Sequence, residues 1–330
     1  MIDQFVQTRR PRWERLEGLL ARARGRRGTR LSAAELEDLG RLYRQATSDL
    51  AIARRDYPGD RVTRYLESLV SRAHPSVYRP EGGQAAAIGH FFTAGYPRAF
   101  RESWKYIATS FALFAIPFLF AIGLSLADPT AARVVLPNSP FVEQVERGET
   151  WLEIERTERA PMASFIATNN IQVSFLAFAG GAIFGLGTAF VMMNNGLQIG
   201  AVAGLAGNYG LGDDLSAFVS PHGGIELTVI FIAGGAGLLI GDAMLRPGLL
   251  TRRQSLVRAG QRAIYLVFGC VPLLLIAGAF EGFVSPSGLA DTGKYIVGAF
   301  NLAWLYAWLL LAGRRDDTPI PIDQPSLTSG

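Results

Sequence analysis

The feature that most constrains this sequence is a long stretch without charge: no Asp, Glu, Lys or Arg occurs between Arg159 and Asp213. Apolar stretches of 18 or more residues are long enough to cross the hydrocarbon core of a bilayer as a helix. Of the 330 residues, 49% are hydrophobic, which argues against an ordinary soluble enzyme and excludes a disordered chain or a disulfide scaffold. The pattern predicts an all-α, polytopic membrane bundle.

Hydropathy predicts six transmembrane helices, at 106–126, 173–193, 197–211, 227–245, 263–280 and 295–313. The third is short and glycine-rich, which would also suit a re-entrant segment. The connector 246–262 carries five arginines and no acidic residue. Six full crossings place these arginines on the same side as the basic N-terminal region, in agreement with the positive-inside rule. We therefore expect a multi-pass protein of the cytoplasmic membrane with both termini in the cytoplasm, a tail at 314–330 and an extracytoplasmic segment at 127–161.

Residues 1–105 form a basic N-terminal region, with 20 Lys and Arg against 12 Asp and Glu. Ser32 and Glu35 match the capping-box pattern of a helix start, and apolar residues then recur at helical spacing. The region is therefore predicted to be a cytoplasmic helical domain. At 88–105, aromatic residues accompany Arg and Lys, which suits an interfacial helix. The arginines are scattered and no nucleic-acid motif occurs, so we expect a surface facing the lipid bilayer and no nucleic acid.

The membrane region contains a tandem repeat of a two-helix unit. Residues 168–189 align with 222–243 at seven of 22 positions, including AGGA in both, and FVSP occurs at 218–221 and again at 283–286. We expect two parallel copies, residues 168–223 and 222–288, each closed by an FVSP turn. Parallel repeats occur in transporters, but any duplicated helical membrane protein would also contain them. Glycines spaced for close helix packing are Gly180, Gly181, Gly185, Gly234, Gly235 and Gly241.

Polar residues within or beside the predicted spans form the candidate functional cluster. They are His222, Glu226, Asn169, Asn170, Gln172, Asn194, Asn195, Asp242 and Glu281. Glu226 is predicted at the start of its span, Asp242 near the end of the same span and Glu281 just past the end of the next. Interfacial positions are less costly for a carboxylate than the bilayer centre, so this interpretation is favoured over a proton relay.

The remaining polar patterns indicate helix ends and not a chemical centre. Asp242 and Arg246 have the spacing of a helix ion pair. Asn194 and Asn195, at the inner end of a predicted span, are expected to cap a helix end or to bridge neighbouring helices. His222 and Glu226 share one helix face, but two ligands are too few for a metal site.

Motifs of catalysis are missing from the sequence: it contains no P-loop, GxGxxG, HExxH or GxSxG. We therefore expect neither enzymatic activity nor a cofactor. A weaker alternative is an intramembrane hydrolase that uses His222 and Glu226.

Five segments, in this order along the chain, resemble the stage II sporulation protein M family. They are LYRQATSDLAIAR at 42–54, YLESLVSRAH at 65–74, NNIQVSFLAFAGG at 169–181, PHGGIEL at 221–227 and IAGGAGLLIG at 232–241. The resemblance covers nearly the whole chain and implies a polytopic cytoplasmic-membrane protein with a helical N-terminal domain.

The resemblance also implies partners: cell-wall hydrolases in spore formers, and AAA+ ATPases or von Willebrand A-type proteins in other bacteria. A homo-oligomer is compatible with it. Two functions follow as hypotheses. The first is a non-enzymatic membrane scaffold that organises partner proteins, and the second is a transporter or channel for a small solute or ion built on the duplicated unit.

Overall fold

A computed structural model describes residues 2–24, 31–77, 83–137, 139–148 and 156–314. Within these ranges all regular structure is helical, which confirms the predicted fold class. The α-helices are α1 (Ile2–Arg24), α2 (Ala33–Asp56), α3 (Arg61–Val77), α4 (Gly83–His90), α5 (Tyr96–Glu102), α6 (Trp104–Ala127), α7 (Thr130–Val135), α8 (Pro140–Glu146), α9 (Arg156–Ala179), α10 (Leu186–Asn208), α11 (Gly212–Leu245), α12 (Arg252–Phe283) and α13 (Asp291–Leu311). The chain divides into two compact units between Ile88 and Gly89.

Helices α1 to α3 form the first unit, which we call the head bundle. The capping box predicted for α2 is confirmed: Ser32 Oγ accepts the Glu35 backbone N–H, and the Glu35 carboxylate accepts the Ser32 backbone N–H. The apolar stripe that begins in α2 is buried against α1 and α3. Asp49 of α2 accepts hydrogen bonds from Trp13 Nε1 and Arg9 Nε at 2.9 and 2.8 Å. The head bundle therefore has a core of its own.

In the part of the chain that the structure describes, five helices are long and apolar enough to cross a membrane, namely α6, α10, α11, α12 and α13. They support a polytopic bundle, although the number differs from the six predicted spans. The difference lies in α9, which contains the first half of the second predicted span and is not among the five. The predicted spans 106–126 and 263–280 lie inside α6 and α12, and 295–313 nearly coincides with α13.

The predicted span 173–193 is wrong, because the chain reverses inside it. α9 ends at Ala179, a 3-10 turn follows at Gly180–Ala182, and Phe184 and Gly185 have φ angles of 53° and 81° before α10 begins. Glycine takes positive φ without the steric cost that a Cβ atom imposes. The aligned residue of the second repeat is Leu239, and there the same AGGA sequence continues as helix. The span boundary predicted around residue 195 is also wrong, because α10 continues through it.

The predicted turn at the first FVSP sequence is wrong as well, since Pro221 lies inside α11. Proline has no N–H to donate to the carbonyl one turn earlier, and that carbonyl, of Ala217, is 3.5 Å from Ser220 Oγ. Asn301 of α13 donates to the Pro221 carbonyl at 2.8 Å. Neighbouring side chains of this kind allow proline within membrane helices. The second FVSP sequence does follow a helix end, at Phe283.

Glycines bring α10 into backbone contact with α6. A Cβ atom added at Gly196, Gly200 or Gly204 would overlap the carbonyl oxygen of Phe114, Phe118 or Ile122, respectively. Both series advance by four residues in the same direction, so the two helices run parallel. Small residues at this spacing are typical of close helix packing in membranes.

The repeated glycines bring the two copies of the repeat together. A Cβ at Gly181 would overlap Gly237 of α11, and one at Gly241 would lie 2.5 Å from the Gly185 nitrogen. Further up α11, Asn170 contacts Glu226, so α9 and α11 run parallel. The other predicted glycines also lie at close approaches: Gly180 faces Gly187, Gly234 faces Ser110 and Gly235 faces Ile107.

The interfacial helix predicted at 88–105 is divided into shorter pieces. A π-helical turn, Phe91–Gly95, separates α4 from α5, and α5 ends before α6 begins. Tyr96 of α5 is fully buried and stacks on Trp308, with ring centroids 5.5 Å apart. The segment fails as a single surface helix because Tyr96 and Phe100 are buried in the bundle core and Phe91 packs against it.

The predicted outer segment, 127–161, contains the short helices α7 and α8, which an ion pair between Arg133 and Glu146 joins. Residues 149–155 of this segment and residues 315–330 of the predicted tail lie outside the described ranges.

Candidate functional site

Three helices of the membrane unit bring buried polar side chains together. Asn170 of α9, Glu226 of α11 and Glu281 of α12 are 8%, 6% and 1% exposed. With His222 and Ser285, these residues form what we call the polar cluster. Glu226 lies 14 residues into α11, which begins at Gly212, and Glu281 lies two residues before the end of α12 at Phe283. Their interfacial placement stays a prediction.

Hydrogen bonds connect the polar cluster across helices. Asn170 Nδ2 donates to Glu226 Oε2 at 2.6 Å. His222 Nδ1 and Ser285 Oγ are 2.9 Å apart. His222 and Glu226 lie four residues apart on one face of α11, as their spacing predicts. The cluster therefore ties α11 to both α9 and the end of α12.

Glu281 differs from the other members because both of its carboxylate oxygens are buried without a hydrogen-bond partner among the described residues. Its carboxyl group is close enough to that of Glu226 for their charges to interact. None of the ion pairs in the described part of the chain includes either carboxylate. An ionised carboxylate that is buried without a partner is very costly. The pair is thus under electrostatic strain that no neighbouring cation relieves.

Other predicted cluster members lie elsewhere. Asn169 and Gln172 are exposed on α9, whereas Asn170 contacts Glu226 of α11. Asn194 and Asn195 lie inside α10 and do not cap a span. Asn195 is buried, and its Nδ2 has no partner among the described residues.

Asp242 lies near the C-terminal end of α11. It forms the predicted ion pair with Arg246, and its Oδ2 also accepts a hydrogen bond from Tyr106 of α6 at 2.6 Å. Asp242 is thus fully engaged in holding the end of α11 to α6.

Sequence reasoning missed several buried polar groups. Ser285 lies within the repeated FVSP sequence, and Ser174 aligns with Thr228 in the repeat, so the repeat itself could have pointed to both residues. No such signal pointed to Ser110 of α6. The hydroxyl oxygens of Ser110 and Ser174 are buried and have no partner among the described residues.

The arrangement does not resemble a metal centre. Among the residues that the structure describes, no group of three or more His, Cys, Asp or Glu side chains is placed to hold a metal ion. Two carboxyl groups and one amide donor can instead bind a proton or hydrogen-bond a small polar molecule.

Comparison with known proteins identifies the membrane unit. The family described as Stage II sporulation protein M matches residues 101–286, and a domain of unknown function (DUF8413) matches residues 3–79. The uncharacterized protein MJ0793 of Methanocaldococcus jannaschii is 28% identical over 127 residues, which cover 37% of this chain and 69% of that protein. No solved structure matches. The family match covers more than half of the chain and the entire polar cluster, so the chain belongs to the stage II sporulation protein M family.

Proposed function

We propose that this protein is a non-enzymatic membrane scaffold, in which the bundle anchors the chain and the head bundle holds partner proteins. The observation that carries this proposal is the head bundle itself, a compact unit with its own buried core, separate from the membrane unit. A compact unit with its own core can bind partner proteins independently of the membrane helices.

The packing of the membrane unit supports an anchoring role. At three successive levels the backbones of α6 and α10 are in contact through glycine, and glycines also bring α9 and the turn after it against α11. Backbone contacts of this kind leave little freedom for helices to move apart.

The proposed orientation places both termini in the cytoplasm, because the arginines of connector 246–262 then lie on the cytoplasmic side. By family resemblance, the partners at the head bundle are AAA+ ATPases or von Willebrand A-type proteins, and those at segment 127–161 are cell-wall hydrolases. Orientation is tested with cysteines introduced one at a time at exposed positions. A membrane-impermeant thiol reagent on intact cells should label Asp213→Cys and not Arg253→Cys; the reverse pattern would refute the orientation.

Affinity purification in mild detergent tests the scaffold. The full chain should recover stoichiometric partners, and a chain lacking residues 1–82 should lose the cytoplasmic ones while retaining its monodisperse membrane unit. Identical recovery from both chains would exclude the head bundle as the partner-binding module. The recovery of no stoichiometric partner by the full chain would count against a scaffold of any kind.

The polar cluster favours a second candidate, a transporter or channel for a small solute or ion. Buried ionisable side chains within membrane helices commonly line substrate or ion pathways. Flux of candidate ions into proteoliposomes should then fall for Glu226→Gln and remain unchanged for Asn169→Ala, a substitution at an exposed amide on α9. Equal flux through the original chain and Glu226→Gln would remove this residue from a transport mechanism.

A further inference from the structure

The Glu281 carboxyl group lacks a partner that the described residues could supply. Buried side-chain oxygens in folded proteins are nearly always hydrogen-bonded, and an ionised carboxylate that is neither paired nor hydrogen-bonded is very costly to bury. Glu281 is 1% exposed, and both of its oxygens are unpartnered. The group therefore needs a species other than the described side chains to neutralise or hydrogen-bond it.

The groups around Glu226 and Glu281 limit which species can bind at Glu281. α9 presents the amide of Asn170, and α11 presents Glu226 itself and His222, which is bonded to Ser285. The buried Lys294 belongs to α13, which packs mainly on α11 and α5 and forms no ion pair with Glu226 or Glu281 in the described structure. Among the described residues, no Lys or Arg forms an ion pair with either carboxyl group, and the ligands for a metal ion are too few.

The hydrogen bond from Asn170 distinguishes the two carboxyl groups. Its nitrogen donates to Glu226 Oε2 at 2.6 Å, and a donated hydrogen bond favours the ionised form of a carboxyl group. Glu226 is therefore the member suited to carry the negative charge. Glu281 has no donor that would stabilise its ionised form, so it is the member suited to carry a proton.

We propose that Glu226 and Glu281 form a proton-binding pair inside the membrane, which holds one proton, on Glu281, while the Asn170 amide stabilises ionised Glu226. The proton comes from water: hydronium gives its proton to a Glu281 carboxylate oxygen, an O–H bond forms there, and water is left. This inference goes beyond the scaffold and does not require the chain to transport a solute.

Further buried polar atoms lie between the pair and the Asp242 end of the bundle. Ser174 is one helical turn from Asn170 on α9, and Ser110 Oγ lies against Gly234 of α11. Gly234 is eight residues, or about 12 Å, from both Glu226 and Asp242 along the helix. Unpartnered buried hydroxyl groups are typical positions for ordered water. They provide the hydrogen-bonding groups through which a proton could exchange.

Infrared spectroscopy of the full chain in detergent tests the pair. At neutral pH the spectrum should contain the carbonyl stretch of a buried, protonated carboxylic acid. This band should disappear in Glu281→Gln, and the control Asp242→Asn should retain it, because Asp242 is ion-paired with Arg246. Monodisperse elution on size exclusion establishes that each variant is folded. The absence of the band from the original chain, or its persistence in Glu281→Gln, would overturn the proposal.

Labelling of the original chain provides a test that needs no variant. An apolar carbodiimide reacts with a protonated carboxyl group: the acid adds across a C=N bond to give an O-acylisourea, which rearranges to a stable N-acylurea without a leaving group. Mass spectrometry should find one label per chain, on Glu281. The finding of no label, of a label on Glu226 alone, or of labels on both residues of one chain would overturn a pair that holds one proton on Glu281.

Discussion

Substitution of Gly204 by alanine should destabilise the membrane unit measurably. The added Cβ would lie 2.6 Å from the Ile122 carbonyl oxygen and 2.9 Å from Ser125 Cβ. Real Cβ atoms essentially never come closer than 3.0 Å to such neighbours. The backbones of α6 and α10 must therefore separate, because a carbonyl oxygen in a helix cannot rotate away as the end of a side chain can.

The size of the effect follows from two opposing terms. Overpacking of a tight interior costs about 1–3 kcal/mol, whereas alanine in place of glycine in a helix gains about 0.5–1 kcal/mol. Gly278 of α12 has no atom within 4 Å of an added Cβ, so Gly278→Ala should show only the gain. The difference in unfolding free energy between the two variants therefore measures the cost of the clash alone, about 2 kcal/mol. For a domain of this size, that corresponds to about 4–8 °C in thermal midpoint.

Thermal unfolding in a mild detergent, followed by size exclusion of the fraction that stays monodisperse, measures this difference. Gly196→Ala and Gly200→Ala should have lower midpoints than Gly204→Ala, because their added Cβ atoms would lie closer to the carbonyl oxygens of α6. If Gly204→Ala and Gly278→Ala unfold at the same temperature, α6 and α10 do not have the backbone contact described above.

Three other substitutions test contacts within the membrane unit or within the head bundle. Tyr106→Phe removes the hydrogen bond to Asp242 and should destabilise the membrane unit by about 1.5–3 kcal/mol, as a lower thermal midpoint in detergent. Ser32→Ala removes the helix cap and should cost about 1 kcal/mol, seen as faster amide hydrogen exchange in the first turns of α2, whereas the exposed mid-helix control Ser48→Ala should not. Asp49→Ala removes the acceptor for two hydrogen bonds from α1 and should cost about 1.5–3 kcal/mol, seen as faster exchange throughout α1; unchanged exchange would show that these bonds do not hold α1 in place.

Charge and hydropathy were sufficient to predict the class of fold, because each depends on composition over many residues. The uncharged stretch after Arg159 and the arginines of connector 246–262 indicate membrane helices whatever their exact ends. The cap at Ser32 was also predictable, since it depends only on residues three positions apart.

The reversal between α9 and α10 could not be read from hydropathy, since the sequence stays apolar throughout it. The AGGA sequence is the same in both repeats and is helical in only one, so local propensity does not decide the outcome. The decisive residue is Gly185, which adopts a positive φ angle where the other copy has Leu239. Similarly, Pro221 suggested a turn because its compensating partner, Asn301, is distant in sequence.

The polar cluster was predictable in residue type but not in geometry. Glu226 and Glu281 were both candidates, and only the true lengths of α11 and α12 place them inside the bundle. The repeat aligns Gln172 with Glu226, which suggested equivalent roles. In the structure the two copies pack side by side, and the side chain that meets Glu226 is Asn170.

The length of α11 has a consequence for how outside events reach the membrane interior. Its 34 residues span about 51 Å, against a hydrocarbon thickness of about 30 Å. Even a steep tilt of 40° leaves about 39 Å along the bilayer normal, so at least one end of this rod stands in the headgroup layer or in water. A protein that binds the first turns of α11 near Asp213 would contact the same helix that carries Glu226. A displacement of that end would therefore reach the carboxyl pair along one helix, without passing through a loop.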